Sequence, residues 1–199
     1  MGKVVAEFAM SLDGFIADAN DGVQDLYRWL MNRDGDTPIT LDGREFKTSA
    51  VSAAHYRELL DSVGALVTGR RDFDVSRAWG GRSPFGVPIF IVTHTVPQEW
   101  AKPDSPFTFV TEGVERAVEL GKQAAGEKVM LISGSKIVQQ GIRDGLVDEI
   151  YIDLVPILLG TGIRLFESLG IEPIELDCFS AIQAPGVTHL KFRIVKSSH

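Results

Sequence analysis

Short apolar runs alternate with segments of helical periodicity along most of the chain. Runs typical of buried strands occupy residues 3–10 and the stretches that end at Gly69, Thr93 and Ser133. Apolar residues at helical spacing, which predict helices packed on a sheet, lie in residues 50–62 and 114–125. This alternation predicts an α/β fold, a three-layer α/β/α sandwich with a mixed, mostly parallel central sheet.

Two segments depart from this pattern. Residues 31–48 are polar and rich in Gly and Asp without sustained periodicity, so they predict a long loop, preceded by a helical turn at residues 25–30. Near the C-terminus, Leu190, Phe192 and Ile194 alternate with polar residues, as in a strand with one apolar face. We expect antiparallel strands to close one edge of the sheet there.

Composition narrows the class of protein. The 199 residues are 44% hydrophobic and contain no linker-like stretch, which predicts one domain spanning residues 1–199. A net charge of −7 argues against nucleic-acid and anionic-membrane partners. No stretch approaches the about 20 apolar residues of a membrane span, so we expect a cytoplasmic protein. Cys178 is the single cysteine and offers no paired thiols for structural zinc, and we predict no metal site.

Small residues and cations follow three of the predicted strands. They are Gly69, Arg70 and Arg71; Thr93 and His94; and Ser133, Gly134, Ser135 and Lys136. The first and third groups also begin predicted helices, where unpaired N–H groups carry partial positive charge and a glycine admits a close anion. Lys136 is unfavourable at a helix start on dipole grounds, and an anionic ligand would resolve that conflict. The pattern predicts a site for a phosphorylated nucleotide.

Each of these groups also has a simpler interpretation. Arg70 and Arg71 are compatible with solvated cations at a strand end, and His94 with an ordinary turn residue. The glycine turn at Gly134 is compatible with a tight connection from strand to helix and nothing more.

Four segments, in order, resemble the dihydrofolate-reductase-like family. They are residues 11–17 (SLDGFIA), the Gly69 turn, the Gly134 turn and residues 153–162 (DLVPILLGTG). The resemblance covers nearly the whole chain and is strongest to the branch that includes the C-terminal reductase domain of the bifunctional riboflavin-biosynthesis enzyme. Two features differ from that enzyme. Its glutamate before the glycine pair is replaced by Ser133, and its zinc-binding deaminase half is missing.

The resemblance implies that NADPH binds across the carboxyl ends of the central strands. Gly69, Arg70 and Arg71 would then face the cofactor phosphates, and Ser133, Gly134, Ser135 and Lys136 would wrap the pyrophosphate. Thr93 and His94 would lie beside the adenosine ribose, where a hydroxyl and an imidazole can hydrogen-bond a 2′-phosphate.

The expected activity is hydride transfer from the nicotinamide to a small heterocycle, either a pterin or dihydrofolate-type ring or a riboflavin-pathway aminopyrimidine. Asp13 is the first candidate for the acid or orienting carboxylate, although an Asp in such a turn often bonds only its own turn. Asp25 is the second candidate, with Trp29 either stacking on a ring or packing in the core. Two alternatives remain: a ligand-binding protein without turnover, or a reductase of a flavin or quinone-like acceptor. Relatives suggest a homodimer.

Overall fold

The protein is built around an eight-stranded mixed sheet. The computed structural model describes residues 2–31, 35–41, 44–167 and 169–196. The strands are β1 (Val4–Ser11), β2 (Phe15–Ala17), β3 (Thr37–Leu41), β4 (Arg44–Thr48), β5 (Val63–Gly69), β6 (Ile89–Val92), β7 (Phe107–Val110), β8 (Val129–Ile132), β9 (Glu149–Val155), β10 (Ile163–Arg164), β11 (Leu176–Ala184) and β12 (Val187–Ile194). The helices are α1 (Ala50–Ser62), α2 (Arg70–Val75), α3 (Val114–Ala125) and α4 (Ser135–Arg143), with short 3-10 segments at Arg77–Gly81 and Gln98–Trp100.

The sheet has the strand order β11-β12-β9-β1-β8-β5-β6-β7. The strands β1, β8, β5, β6 and β7 pair in parallel, whereas β12 is antiparallel to both β9 and β11. These pairings confirm the predicted α/β fold with a mixed, mostly parallel sheet, and they confirm antiparallel strands at one edge. Parallel strands end at the same edge of their sheet, so the residues that follow β5, β6 and β8 are close in space. Among the described helices, none has the length and apolar character needed to cross a bilayer.

The chain groups into two compact units, and the prediction of one domain stays a prediction. The first unit comprises Met1–Ala6 and Ser62–Val147. In it, α3 packs tightly on the sheet at Gly121, where an added Cβ would lie 2.8 Å from Val67 Cγ2 and 3.0 Å from Met130 Cγ. Phe73 is buried at the centre of an aromatic group, with ring centroids 5.2–6.1 Å from those of its neighbours Trp79, Trp100, Phe107 and Phe109.

The second unit comprises Glu7–Asp61 and Asp148–His199, and it corrects the prediction of a long loop at residues 31–48. The strands β3 and β4 form an antiparallel hairpin there, with Ile39 opposite Phe46. Ile39 is buried, and the Thr48 hydroxyl donates to the Trp29 carbonyl at 2.7 Å. The Arg57 guanidinium also donates to the Pro38 carbonyl at 2.6 Å. An apolar pair and two long-range hydrogen bonds thus anchor the hairpin, and none of them produces a periodic signal. Residues 32–34 and 42–43 lie outside the described residues.

The chain before that hairpin contains the predicted helical turn. Tyr27 N–H donates to the Val23 carbonyl at 3.2 Å, and Met31 N–H donates to the Tyr27 carbonyl at 3.1 Å. These i to i+4 bonds are those of an α-helical turn, but the segment forms consecutive turns and not a regular helix.

The strand β12 corrects a second expectation. Its more buried face carries Val187, His189 and Lys191, whereas Leu190, Phe192 and Ile194 are only half-buried. The buried polar residues have partners, since His189 lies opposite Asp153 in β9 and the Lys191 ammonium donates to Glu58 at 2.9 Å. A polar side chain with a partner tolerates burial, so apolar character alone did not identify the inner face.

Candidate functional site

The ends of β5 and β8 lie side by side in the first unit. Val67 pairs with Ile132, and Ser133 N–H donates to the Val67 carbonyl at 2.8 Å. Gly134 has φ +80°, and a Cβ added to it would lie 3.4 Å from the Gly69 nitrogen. The structure therefore brings the two predicted glycine turns together, with backbone close to backbone.

Both glycines stand at the start of a helix. Gly69 is the N-cap of α2 and Gly134 is the N-cap of α4, and neither helix start has a side-chain cap. Within the described part of the chain, side chains therefore leave the first N–H groups of both helices uncapped, as a phosphate-binding turn requires. Ser135 and Lys136 begin α4, with Ser135 half-buried and Lys136 exposed.

Asp72 joins the two turns and was missed by the sequence analysis. Its Oδ2 accepts from the Thr68 hydroxyl at 2.6 Å and from the Ser133 hydroxyl at 3.2 Å. Asp72 also lies in the first turn of α2, where the helix dipole favours a carboxylate. An acidic residue in the first turn of a predicted helix was the available signal, but its bond to Ser133 spans 61 positions.

The cations beside these turns are not equivalent. The Arg70 guanidinium donates through Nε to both Asp74 oxygens, at 2.8 and 2.9 Å, and through Nη1 to the Thr95 carbonyl at 3.2 Å. Its side chain remains 38% exposed, so it can still meet an anion from solvent. Arg71 is exposed as well. Asp74 offsets part of the charge that Arg70 could offer to a phosphate.

The end of β6 contributes the other two predicted residues. Thr93 is buried, and its hydroxyl donates to the Thr95 carbonyl at 2.9 Å. His94 is exposed on the same turn. Gly69 pairs with Val92, the last residue of β6, so this turn lies next to the Gly69 turn. The structure thus groups all nine predicted cofactor residues around three neighbouring strand ends.

The two predicted carboxylates of the second unit have different surroundings. Asp13 accepts from the Ser11 hydroxyl at 2.6 Å, from Leu159 N–H at 3.1 Å and from Gly160 N–H at 2.7 Å. The Ser11 bond, followed by the two amide bonds, holds the pKa of Asp13 below its ordinary value. Asp25 is exposed and forms an ion pair with Arg28.

Trp29 belongs to the core of the second unit. It is 4% exposed, and its ring centroid lies 5.8 Å from that of Tyr56 and 5.2 Å from that of His189. Of the two interpretations of Trp29, the structure favours core packing.

A buried polar group in the second unit has no counterpart among the predicted residues. We call it the histidine cluster, and it consists of Ser52 and His55 from α1, Asp153 from β9 and His189 from β12. His189 Nε2 lies 3.0 Å from the Ser52 hydroxyl, and His189 Nδ1 lies 2.6 Å from Asp153 Oδ1. The two imidazole rings stack with centroids 4.1 Å apart, and His55 Nε2 lies 3.6 Å from Asp153 Oδ1.

Burial changes the ionisation of groups in and around this cluster. Burial and then the Asp153 charge raise the pKa of Glu7 to about 8, so the carboxyl is mostly protonated at neutral pH. Burial lowers the pKa of His55 to about 4, which keeps that imidazole neutral. Burial also raises the pKa of the Tyr56 phenol well above its ordinary value. The available signal in the sequence was a charged residue, Asp153, within the apolar stretch of residues 150–155.

Known proteins resemble this chain in sequence and in fold. Residues 2–190 match the model of the RibD C-terminal domain. The chain is 26% identical over 170 residues to the uncharacterized protein YwjB of Bacillus subtilis (strain 168), covering 85% of this chain and 86% of that protein. A protein of Shewanella sp. PV-4 assigned to riboflavin biosynthesis superposes with a TM-score of 0.75 at 22% identity, covering 98% of this chain and 99% of that one.

A further structural neighbour is a dihydrofolate reductase. The enzyme of Enterococcus faecalis, in complex with NADP(H) and RAB-propyl, superposes with a TM-score of 0.55 at 15% identity, over 98% of each chain. The family match confirms the resemblance to the RibD C-terminal branch, and the structural matches confirm the dihydrofolate-reductase-like fold.

Proposed function

Because the chain belongs to the RibD C-terminal domain family, we propose that it is an NADPH-dependent reductase of a small heterocycle. The substrate class is a pterin or dihydrofolate-type ring or a riboflavin-pathway aminopyrimidine. The observation that carries the proposal is the adjacency of two helix starts without side-chain caps, at Gly69 and Gly134. A pyrophosphate has two charged phosphate groups, so it can place negative charge at both helix starts.

The residues around these turns fit NADPH. Gly69 and Gly134 bring no side chain to the two uncapped helix starts, and Ser133 and Ser135 add hydroxyl groups. When NADPH is bound, its pyrophosphate would give Lys136 at the start of α4 an anionic partner. A protein with a net charge of −7 repels a dinucleotide phosphate in general, so local cations must supply the attraction.

The preference for NADPH over NADH depends on the 2′-phosphate. We assign its recognition to Arg70 and Arg71, with Thr93 and His94 beside the adenosine ribose. Arginine suits this role because its planar guanidinium donates two parallel hydrogen bonds to a phosphate. Asp74 holds Arg70 in place, and exchange of that partner for a phosphate is the expected response to the cofactor.

The bound nicotinamide supplies a hydride to the ring of the substrate. For the substrate side we propose Asp13 as an orienting carboxylate. Its lowered pKa keeps it ionised at neutral pH, so it accepts hydrogen bonds and is a poor proton donor. Asp25, exposed beside Arg28, is the second candidate for this role. We include a cytoplasmic location, a homodimer, and no nucleic-acid or membrane partner in the proposal.

Binding and turnover test the proposal in sequence. Titration of protein fluorescence with NADPH and with NADH is expected to give saturable binding, tighter for NADPH, and absence of saturation with either cofactor would overturn the proposal. Consumption of NADPH is then followed with dihydropterins, aminopyrimidine ribosides and flavins. Oxidation with flavins alone would identify a different acceptor, and binding without oxidation across the panel would favour a ligand-binding protein without turnover.

A further inference from the structure

Three metal-ligating side chains meet in the interior of the second unit. His55, Asp153 and His189 each offer a donor atom, and these donor atoms lie within 4.8 Å of one another. All three residues are at most 6% exposed. They come from α1, β9 and β12, so the packing of these elements fixes their spacing.

Several buried polar atoms around these residues lack a partner. Asp153 Oδ2, His55 Nδ1 and Glu7 Oε1 are buried and make no hydrogen bond within the described portion of the chain. An unpaired buried polar atom is unfavourable, and native proteins seldom leave several together. Unpaired atoms on two of the three residues, Asp153 and His55, therefore point to a further ligand in this group.

The charges around these residues also favour a bound cation. Asp153 is a carboxyl group only 2% exposed, and its Oδ1 lies 2.6 Å from His189 Nδ1 and 3.6 Å from His55 Nε2. The Lys191 ammonium lies 2.9 Å from Glu58 Oε1 and so has a carboxylate of its own. A dication bound by the three residues would compensate the buried Asp153 carboxyl.

We propose that His55, Asp153 and His189 bind a divalent first-row transition-metal ion such as Zn²⁺. Imidazole nitrogen and carboxylate oxygen are ligands that Zn²⁺ accepts in tetrahedral sites, with bonds of about 2.0–2.1 Å. Donor atoms in such a tetrahedron are about 3.3–3.4 Å apart by that bond length. The distances from Asp153 Oδ1, 2.6 Å to His189 Nδ1 and 3.6 Å to His55 Nε2, lie on either side of this value.

The ring nitrogen of His189 that would not bind the ion already has a hydrogen-bond partner. When His189 binds the ion through Nδ1, its Nε2 carries a proton, and the Ser52 hydroxyl 3.0 Å away can accept it. Metal-bound histidines usually donate their other N–H in this way, which fixes the ring. Ser49, 3.1 Å from the Ser52 hydroxyl, supports that side chain in turn.

The proposed centre is structural. All three ligands are buried in the interior of the second unit, so we assign the ion to stabilisation of that unit and not to hydride transfer. The inference is therefore independent of the proposed function. It also departs from the expectation of no metal site. That expectation was based on the lack of paired thiols, and the proposed ligands are imidazole and carboxylate groups.

Metal binding by the full, untagged chain tests the proposal. After treatment with EDTA, titration with Zn²⁺ is expected to give one ion per chain and a higher melting temperature. Titration with Co²⁺ is expected to give visible absorption of the strength typical of tetrahedral coordination. Absence of saturable binding of either ion would overturn the proposal, because the same groups would then form a metal-free hydrogen-bonded array.

Variants locate the ion. Asp153→Asn and His55→Gln are expected to weaken Zn²⁺ binding at least a hundredfold. Ser52→Ala, which removes the hydrogen-bond partner of His189 Nε2, is expected to weaken it about tenfold to a hundredfold. His94→Gln, which removes an exposed histidine of the first unit, is the matched control and should bind Zn²⁺ as the parent does. Loss of binding in His94→Gln alone would place the ion on the surface and overturn the proposal. Should Asp153→Asn fail to fold, as judged by circular dichroism, Ser52→Ala and the Co²⁺ spectrum decide.

Discussion

Replacement of Gly134 by alanine separates the role of the glycine turn in folding from its proposed role in NADPH binding. Gly134 has φ +80° and ψ 119°, a backbone conformation that L-residues rarely adopt. An added Cβ would lie 3.4 Å from the Gly69 nitrogen and 3.6 Å from Thr68 Oγ1. These are ordinary van der Waals contacts, so the cost to folding comes from the backbone conformation and not from a clash.

Gly134→Ala is expected to lower both the stability of the fold and the affinity for NADPH. A residue held in such a region costs of order 1–3 kcal/mol, and a chain of this length loses about 2–4 °C of melting temperature per kcal/mol. The new methyl group also lies at the Gly69 amide, which the proposed function directs to a cofactor phosphate. A hydrogen bond to a charged group contributes about 1.5–3 kcal/mol, so its loss would weaken NADPH roughly tenfold to a hundredfold.

Gly126→Ala is the matched control for Gly134→Ala. Gly126 follows α3 in the same unit, has φ +62° and ψ −117°, and has no heavy atom within 4 Å of an added Cβ. Thermal unfolding should place both variants below the parent by a similar amount. Fluorescence titration with NADPH should distinguish them, because only Gly134→Ala touches the proposed phosphate turn. Equal NADPH affinity in the two variants would refute the assignment of this turn to the cofactor.

Three further predictions concern charged side chains. Arg70→Ala should weaken NADPH more than NADH in fluorescence titrations, because arginine is assigned to the 2′-phosphate, and equal losses would contradict that assignment. Asp72→Ala removes the acceptor of two strand-end hydroxyls and should lower the free energy of unfolding by about 1–3 kcal/mol, measured in urea. The pKa of Asp13 is depressed in the folded state, so its bonds to the Leu159 and Gly160 amides persist at pH values above its ordinary pKa of 3.8 and are lost as pH falls below it. Amide exchange followed by NMR checks this, and protection that disappears well above that pH would contradict it.

Local periodicity predicted the helices of the fold better than its small sheets. The bounds of α1 and α3 agree with residues 50–62 and 114–125, because each helix carries apolar residues along one face. The hairpin of β3 and β4 was missed, since it depends on Ile39 opposite Phe46 and on the hydrogen bond from Thr48 to the chain near Trp29. Such contacts join residues that a local window treats separately.

The candidate cofactor site was accessible to sequence reasoning for a physical reason. Glycine and cations after an apolar run mark the end of a strand, and parallel strands bring their ends to one edge. Asp72 was not accessible in the same way, because its role depends on the pairing of β5 with β8 that places Ser133 within reach. Sequence reasoning therefore located the two glycine turns and missed Asp72, whose carboxylate joins them by hydrogen bonds.

The histidine cluster depends on the pairing of two strands, so the alternation of residues in one strand alone does not predict it. In β12 taken alone, Leu190 and Phe192 have the apolar character of an inner face, and His189 that of an outer one. Once β9 is set antiparallel to β12, His189 falls opposite Asp153, and each supplies the partner that makes burial of the other tolerable. A buried histidine in one strand thus requires an acceptor in the next. The proposed metal ion would bind at this pairing, to Asp153 and His189 of the two strands and to His55 of α1.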